Sequence, residues 1–174
     1  GGVNLIRFGP LREDFQVEPL TVESSGLEKW LMLFYTRKVR VAAEIEQDKL
    51  DRLSAKTTQL ATIQALVSPG LKAIVKGDYY RVGELCHEGW LLKKQLSDRV
   101  TDTLIDSLYD TAKGAGAIGG RICGAGGGGC LLVIVPPECQ DAVRSALSSL
   151  VYIPFTFDRV GATVVYYQPD GGKA

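Results

Sequence analysis

The sequence has one histidine, one methionine and no excess of either charge. Its 20 lysines and arginines balance 20 aspartates and glutamates over 174 residues. A lone histidine excludes a two-histidine zinc helix, so His87-Glu88 has no second ligand at that spacing. The neutral balance argues against nucleic acid as a partner, because phosphate backbones call for a basic excess. No apolar run approaches the ~20 residues that span a bilayer, so no membrane partner is expected. No charged start leads into an apolar stretch and a small-residue cleavage site, so export has no support. Cysteine is sparse: Cys86, Cys123, Cys130 and Cys139 form no C-x-x-C pair and lie in or beside apolar sequence. They read as reduced, partly buried thiols of a cytoplasmic protein, with a disulfide framework as the lesser alternative. The chain starts at Gly1 and its only methionine is Met32, which reads as a processed or cut chain.

What is present suits one globular domain, with 45% hydrophobic and 23% charged residues. Residues 3–8 alternate as a strand, Gly9-Pro10 turns, and 15–20 form an antiparallel partner. The run WLMLFY at 30–35 reads as a buried strand. Val39, Ala42, Ala43, Glu46, Leu50 and Leu53 recur at helical spacing, with one polar exception. A helix over 57–67 is interrupted by Ser68-Pro69-Gly70 and resumes through Leu71, Ile74 and Val75. Asp78 is a candidate N-cap for a helix reaching about residue 96. Another helix opens near Thr101, with Leu104, Ile105, Leu108, Tyr109 and Ala112 on one face. Asp102, Asp106 and Asp110 repeat opposite; a solvated face is preferred to a metal site there. Strands at 117–123 and 130–135 flank a glycine run, and a helix covers 137–150. Alternation through Ile153, Phe155 and Phe157, a turn at Arg159-Val160-Gly161 and residues 162–167 predict two closing strands. Antiparallel strands segregated from helices give an α+β domain, not a doubly wound sheet.

Nine of the seventeen residues from 113 to 129 are glycine. Gly114, Gly116 and Gly119 fit G-x-G-x-x-G, as do Gly124, Gly126 and Gly129. A dinucleotide fingerprint needs a helix after the glycines, and here CLLVIVPP follows, a strand ending in proline. No Gly-Lys-Ser/Thr completes a P-loop. So dense a run still calls for a cause beyond a turn, which needs one or two glycines. Bare backbone allows close approach to another surface and lets successive N–H groups face an anion.

The segment GAIGGRICGAGGGGCLLVIVPPE resembles the third motif of the GHMP kinases, most nearly that of the D-glycero-D-manno-heptose 7-phosphate kinase branch. GGVNLIRF, LFYTRKVRVA, LCHEGWLLKKQLS and IPFTFDRVG resemble further segments of that branch in the same order. Arg121 stands where the branch has lysine, Cys123 replaces a hydroxyl residue, Cys130 replaces an aromatic and Arg37 replaces a turn glycine. The resemblance implies a ferredoxin-like two-layer C-terminal domain over 23–174, antiparallel sheet against helices. Residues 1–22 would be terminal strands of a missing N-terminal half. That half would hold the nucleotide-phosphate loop, the catalytic aspartate and most Mg2+ ligands. No catalytic residue and no metal ligand is therefore expected in this chain, and the gene is expected to continue upstream.

The resemblance further implies transfer of phosphate from ATP to a sugar, for the heptose branch the anomeric hydroxyl of a heptose 7-phosphate. The isolated chain is expected to bind ATP poorly and not to turn over. Gly124, Ala125, Gly126, Gly127, Gly128 and Gly129 would lie near the nucleotide phosphates. Lys93 falls inside the apolar arc of its helix beside Gly89, as a cation aimed at a sugar phosphate or as a snorkelling edge residue. Trp90 stacks on a sugar or, preferably, packs in the core. His87 contacts ligand or serves structure. Arg40 meets a substrate phosphate through its planar fork or pairs with Glu44. Arg121, just before the glycines, is placed to meet an anion. Two alternatives remain: another GHMP sugar kinase, fucokinase-like, and a freestanding domain that binds a ligand or a partner.

Overall fold

Alternation at the start of the chain produces a hairpin. Strand β1 (Asn4–Phe8) pairs antiparallel with β2 (Phe15–Pro19), Ile6 opposite Val17 and Phe8 opposite Phe15. These four apolar side chains share one face and are exposed. The computed structural model describes residues 1–11, 13–20, 24–39 and 42–166. A short helix α1 (Ser24–Glu28) leads into β3 (Leu31–Tyr35), the strand expected from the WLMLFY run. Met32 and Phe34 are fully buried, whereas Leu31, Leu33 and Tyr35 on the other side are half-buried.

A helical block follows. It comprises α2 (Ala42–Asp51), a 3-10 segment (Leu53–Lys56), α3 (Thr57–Ala65), α4 (Val67–Lys76), α5 (Tyr79–Lys94) and α6 (Thr103–Gly114). Two expectations fail here. The buried side of α2 is carried by Ile45, while Val39, Leu50 and Leu53 are exposed; with Ala, Ala and Glu among six positions, the proposed stripe had little apolar area to bury. The helix breaks at Leu66, ahead of Ser68-Pro69-Gly70, and Pro69 lies in the first turn of α4, where its missing N–H is not needed. Other signals hold. The Asp78 carboxylate accepts from the Arg81 N–H at 3.1 Å and caps α5. The helix expected near Thr101 opens at Thr103, and Asp102, which the sequence reading gave no capping role, accepts from the Ile105 N–H at 2.9 Å and caps it.

The chain then forms β4 (Gly119–Ile122), β5 (Cys130–Ile134), a 3-10 turn (Pro137–Cys139), α7 (Gln140–Ala146) and β6 (Val151–Ile153). The larger sheet has the order β4-β5-β3-β6, and every neighbouring pair is antiparallel. Read from β3, this is a β-α-β-β-α-β unit with the ferredoxin-like strand order, and its α+β class is as expected. The expected strand at 162–167 does not form among the described residues, where Val164, Val165 and Tyr166 are exposed; Tyr167 lies outside them. Only Val151–Ile153 of the preceding stretch pairs with β3.

The main core lies between one face of this sheet and α5, α6 and α7. Met32, Phe34, Ile122, Leu131 and Val133 meet Trp90, Ile105, Tyr109, Val143 and Leu147. Each such side chain stabilises the fold by roughly 1.5–3 kcal/mol on burial. A second cluster joins Leu27 and Ile134 to Ala73 and Val82, fixing α4 and α5 beside β4 and β5. A Cβ on Gly83 of α5 would lie 2.7 Å from Ile118 Cγ2, so helix and strand meet with no side chain between. That close approach lays the C-terminal half of α5 alongside the glycine run.

Candidate functional site

The glycine run between β4 and β5 is a packed element, held at both ends and from above. The Gly127 N–H donates to the Val100 carbonyl at 2.7 Å, and the Gly129 N–H donates to the Lys38 carbonyl at 3.0 Å. The Gly129 carbonyl accepts from the Thr36 N–H at 2.9 Å and the Thr36 hydroxyl at 2.7 Å. Gly124, Gly126, Gly127, Gly128 and Gly129 all have positive φ. At Gly126, with φ +111°, a Cβ would sit 2.7 Å from the Val100 carbonyl oxygen. Ala125 to Gly128 are buried, and Gly124 is exposed. The density of glycine thus has a concrete cause: successive left-handed residues under two crossing backbone segments. This is a rigid wall with one open end at Gly124, not an exposed cradle of amides.

Lys93 is at that open end. It is 8% exposed, and its Nζ donates to the Gly124 carbonyl. Burial, with Arg121 and Lys49 nearby, pulls the ammonium down to about 8. Arg121 is exposed, and among the described residues no carboxylate pairs with it. It lines a cavity of about 280 Å³ whose other walls include Leu66, Ile74, Val82, Leu85 and Cys86. Burial pushes the Cys86 thiol up, so it is protonated and unreactive.

The remaining candidates separate from this cluster. Trp90 is 1% exposed and belongs to the main core, facing Tyr109; no sugar reaches it to stack. His87 is part-buried beside the Tyr109 hydroxyl. Arg40 lies outside the described residues. Asp102, Asp106 and Asp110 lie on the solvated face expected of them, the side chains of the first two 38% and 39% exposed and engaged in ion pairs. Asp102 pairs with Lys38, and Asp106 pairs with Lys94 at 3.0 Å and accepts from Thr101. No group of three or more metal-ligating side chains occurs among the described residues. None of the four cysteines forms a disulfide among the described residues, and each is partly buried. No helix is long and apolar enough to cross a membrane among the described residues.

Sequence reasoning missed the residues that build the wall. Thr36, Lys38 and Val100 hold glycine backbone and Lys49 holds the Ala125 carbonyl, yet each is ordinary in its local context. Arg37 was the one available signal: it occupies the left-handed region at φ 58°, where the resembling family has glycine. That kink turns Thr36 and Lys38 toward Gly129.

Comparisons with known proteins bear on this arrangement. Residues 71–153 match the family model for the C-terminal region of GHMP kinases. A D-glycero-alpha-D-manno-heptose 7-phosphate kinase of Campylobacter jejuni is 28% identical over 153 residues, covering 84% of this chain and 44% of that protein. The bifunctional fucokinase/GDP-fucose pyrophosphorylase of Arabidopsis thaliana is 26% identical over 132 residues, covering 72% of this chain and 12% of that protein. The L. major mevalonate kinase, solved in complex with R-mevalonate, superposes with a TM-score of 0.70 at 22% identity, over 86% of this chain and 45% of its own. The chain therefore spans less than half the length of these relatives. Family model and sheet order agree that this chain is similar to the C-terminal region of GHMP kinases, with the model matching residues 71–153.

Proposed function

We propose that this chain is the C-terminal half of an ATP-dependent sugar-phosphate kinase acting on the anomeric hydroxyl of a heptose 7-phosphate. The observation that carries the reading is the rigid glycine wall, open at Gly124 and flanked by the exposed Arg121, in a chain similar along 84% of its length to a heptose 7-phosphate kinase. Phosphoryl transfer is catalysed by positioning and charge stabilisation rather than covalent chemistry. In this division of labour the wall backs a nucleotide-phosphate loop supplied by an N-terminal half, residues 1–22 belong to that half, and 23–174 form the second domain. The exposed apolar face of the β1–β2 hairpin supports such a docking. Arg121, and Arg40 if it reaches the same side, bind the acceptor's phosphate. On this reading the chain alone holds neither Mg2+ nor ATP. Both ligands fall to the N-terminal half, with its aspartate as base.

The test is a fusion of the N-terminal half of the Campylobacter relative to this chain, with products followed by phosphorus NMR. Formation of a 1,7-bisphosphate from heptose 7-phosphate and ATP, lost as an increased acceptor KM in Arg121→Met, is the expected result. A second reading, a fucokinase-like enzyme acting on an unphosphorylated sugar, is favoured by the similarity to the Arabidopsis protein. Transfer to fucose with an acceptor KM indifferent to Arg121→Met would establish it and overturn the first.

A further inference from the structure

Two lysines from separate helices reach the same stretch of backbone. Lys93 of α5 donates to the Gly124 carbonyl. Lys49 of α2 donates to the next carbonyl, that of Ala125, at 3.3 Å, and pairs with Glu46 at 2.7 Å. In a planar trans peptide the C=O and the following N–H point in opposite directions. Two consecutive carbonyls turned toward the lysines therefore turn the Ala125 and Gly126 N–H groups away from them. Glycine-flanked peptides have little intrinsic resistance to rotation, so their planes have to be set from outside.

We propose that Lys93 and Lys49 form a cationic clamp that sets the orientation of the Gly124–Ala125 and Ala125–Gly126 peptides, Lys93 being a positioning residue for the glycine wall and not a ligand of the substrate. Its bearing on catalysis rests on the kinase reading above; the clamp itself does not. The burial of Lys93 fits this role. A cation meant for a mobile substrate stays hydrated until the substrate arrives, whereas Lys93 is already committed to a carbonyl and 8% exposed. The carbonyl is a partial charge, so burial of the ammonium is only partly compensated. The groups that face it are Arg121 on β4 and Lys49 on α2, which oppose its charge, and Glu46 on α2 and Cys123 after β4, which favour it. A charged donor makes a hydrogen bond about twice as strong as a neutral one. The clamp accordingly loosens, without being lost, as pH rises through the value of about 8 at which Lys93 gives up its proton.

The experiment is amide and carbonyl NMR on the 174-residue chain, comparing the unmodified protein with Lys93→Met, Lys93→Arg and Lys49→Met. In the unmodified protein the Gly124 carbonyl and the Ala125 and Gly126 amides shift with pH along one titration centred near 8. Lys93→Met removes that titration and speeds amide exchange at 125 and 126 roughly tenfold, while amides of Leu131 and Val133 in β5 keep their protection. Lys93→Arg restores slow exchange without the titration, because arginine stays charged. Lys49→Met speeds exchange at Gly126 more than at Ala125. Unchanged exchange at 125 and 126 in Lys93→Met overturns the proposal. Should that variant fail to fold, unchanged exchange at Gly126 in Lys49→Met overturns it equally. None of these readouts uses nucleotide or sugar, so failure of the clamp and failure of the kinase reading are separate results.

Discussion

The Tyr109 hydroxyl lies 2.8 Å from His87 Nδ1, and the two rings stack at 8° with centroids 5.8 Å apart. The pair ties α5 to α6 at the edge of the main core. The Gly120 backbone bonds the same hydroxyl, and burial pushes the phenol well above its ordinary value, so Tyr109 remains a neutral phenol beside the imidazole. Burial, and the nearby Lys113 and Lys94, hold His87 below its ordinary value.

That shift has a sign. With a depressed folded value, the unfolded chain binds the histidine proton first as pH falls. The stability that His87 contributes is present above its unfolded value of about 6.5 and is lost as pH falls from there through the folded value. Denaturant midpoints measured at pH values on either side of this window should fall more steeply in the unmodified protein than in His87→Gln. Equal slopes would show that the imidazole binds its proton equally well in the folded and unfolded states.

Two glycine substitutions should act in opposite directions. Gly126→Ala forces a side chain into positive φ and against the Val100 carbonyl, and should destabilise the fold by at least about 2 kcal/mol. Gly70, within α4, has open space where a Cβ would stand, so Gly70→Ala should stabilise by up to about 1 kcal/mol. Thermal melts of the two variants decide this; a harmless Gly126→Ala would mean the wall relaxes freely.

Arg37 carries a left-handed backbone that costs a non-glycine residue roughly 1–2 kcal/mol. Glycine removes that cost but loses about 0.5–1 kcal/mol in chain entropy. Arg37→Gly should therefore be neutral to slightly stabilising, with the Thr36 and Lys38 contacts to Gly129 intact. A clear loss of stability in melts would assign the arginine side chain a role its backbone does not reveal.

Asp102 does two things, and two variants separate them. Asp102→Asn keeps a good cap on α6 and loses the Lys38 pair, a partly exposed contact worth up to about 1 kcal/mol. Asp102→Ala loses both, adding about 1 kcal/mol for the cap. Urea titration should order the proteins unmodified, Asp102→Asn, Asp102→Ala. A coincidence of the last two would place the whole effect in the ion pair.

How much of this was legible depended on whether the signal was local. The β3 strand was readable because six consecutive apolar residues leave no other economical placement, α5 because an aspartate precedes its periodic run, and α6 because Ile105, Tyr109 and Ala112 recur at helical spacing. The α2 face was not readable, because Ala42, Ala43 and Leu50 have the right spacing and too little to bury. Residues 162–166 carry strand-forming side chains, yet none of them pairs with a strand of either sheet, although β6 has an open edge. The site divides in the same way. Lys93 stood out as a cation within an apolar arc, but its partner is a carbonyl 31 residues away, and distance in sequence hid it. Trp90 and Lys93 share a helix and a motif, yet one faces the core and the other the glycine wall, a distinction of one helical face that motif matching does not make.

The strand lengths bear on how this chain behaves in a crowded solution. The large sheet ends on β4 and β6, four and three residues long, one of them glycine-rich and the other short enough to offer few open hydrogen-bonding groups. Neither is a good template for a foreign strand. The β1–β2 hairpin is different: two strands, two open edges and four bared apolar side chains on one face. Self-association, where it occurs, should begin at the hairpin and spare the sheet that builds the site. A single lysine placed at Phe8 or Val17 would serve as a gatekeeper for the whole chain.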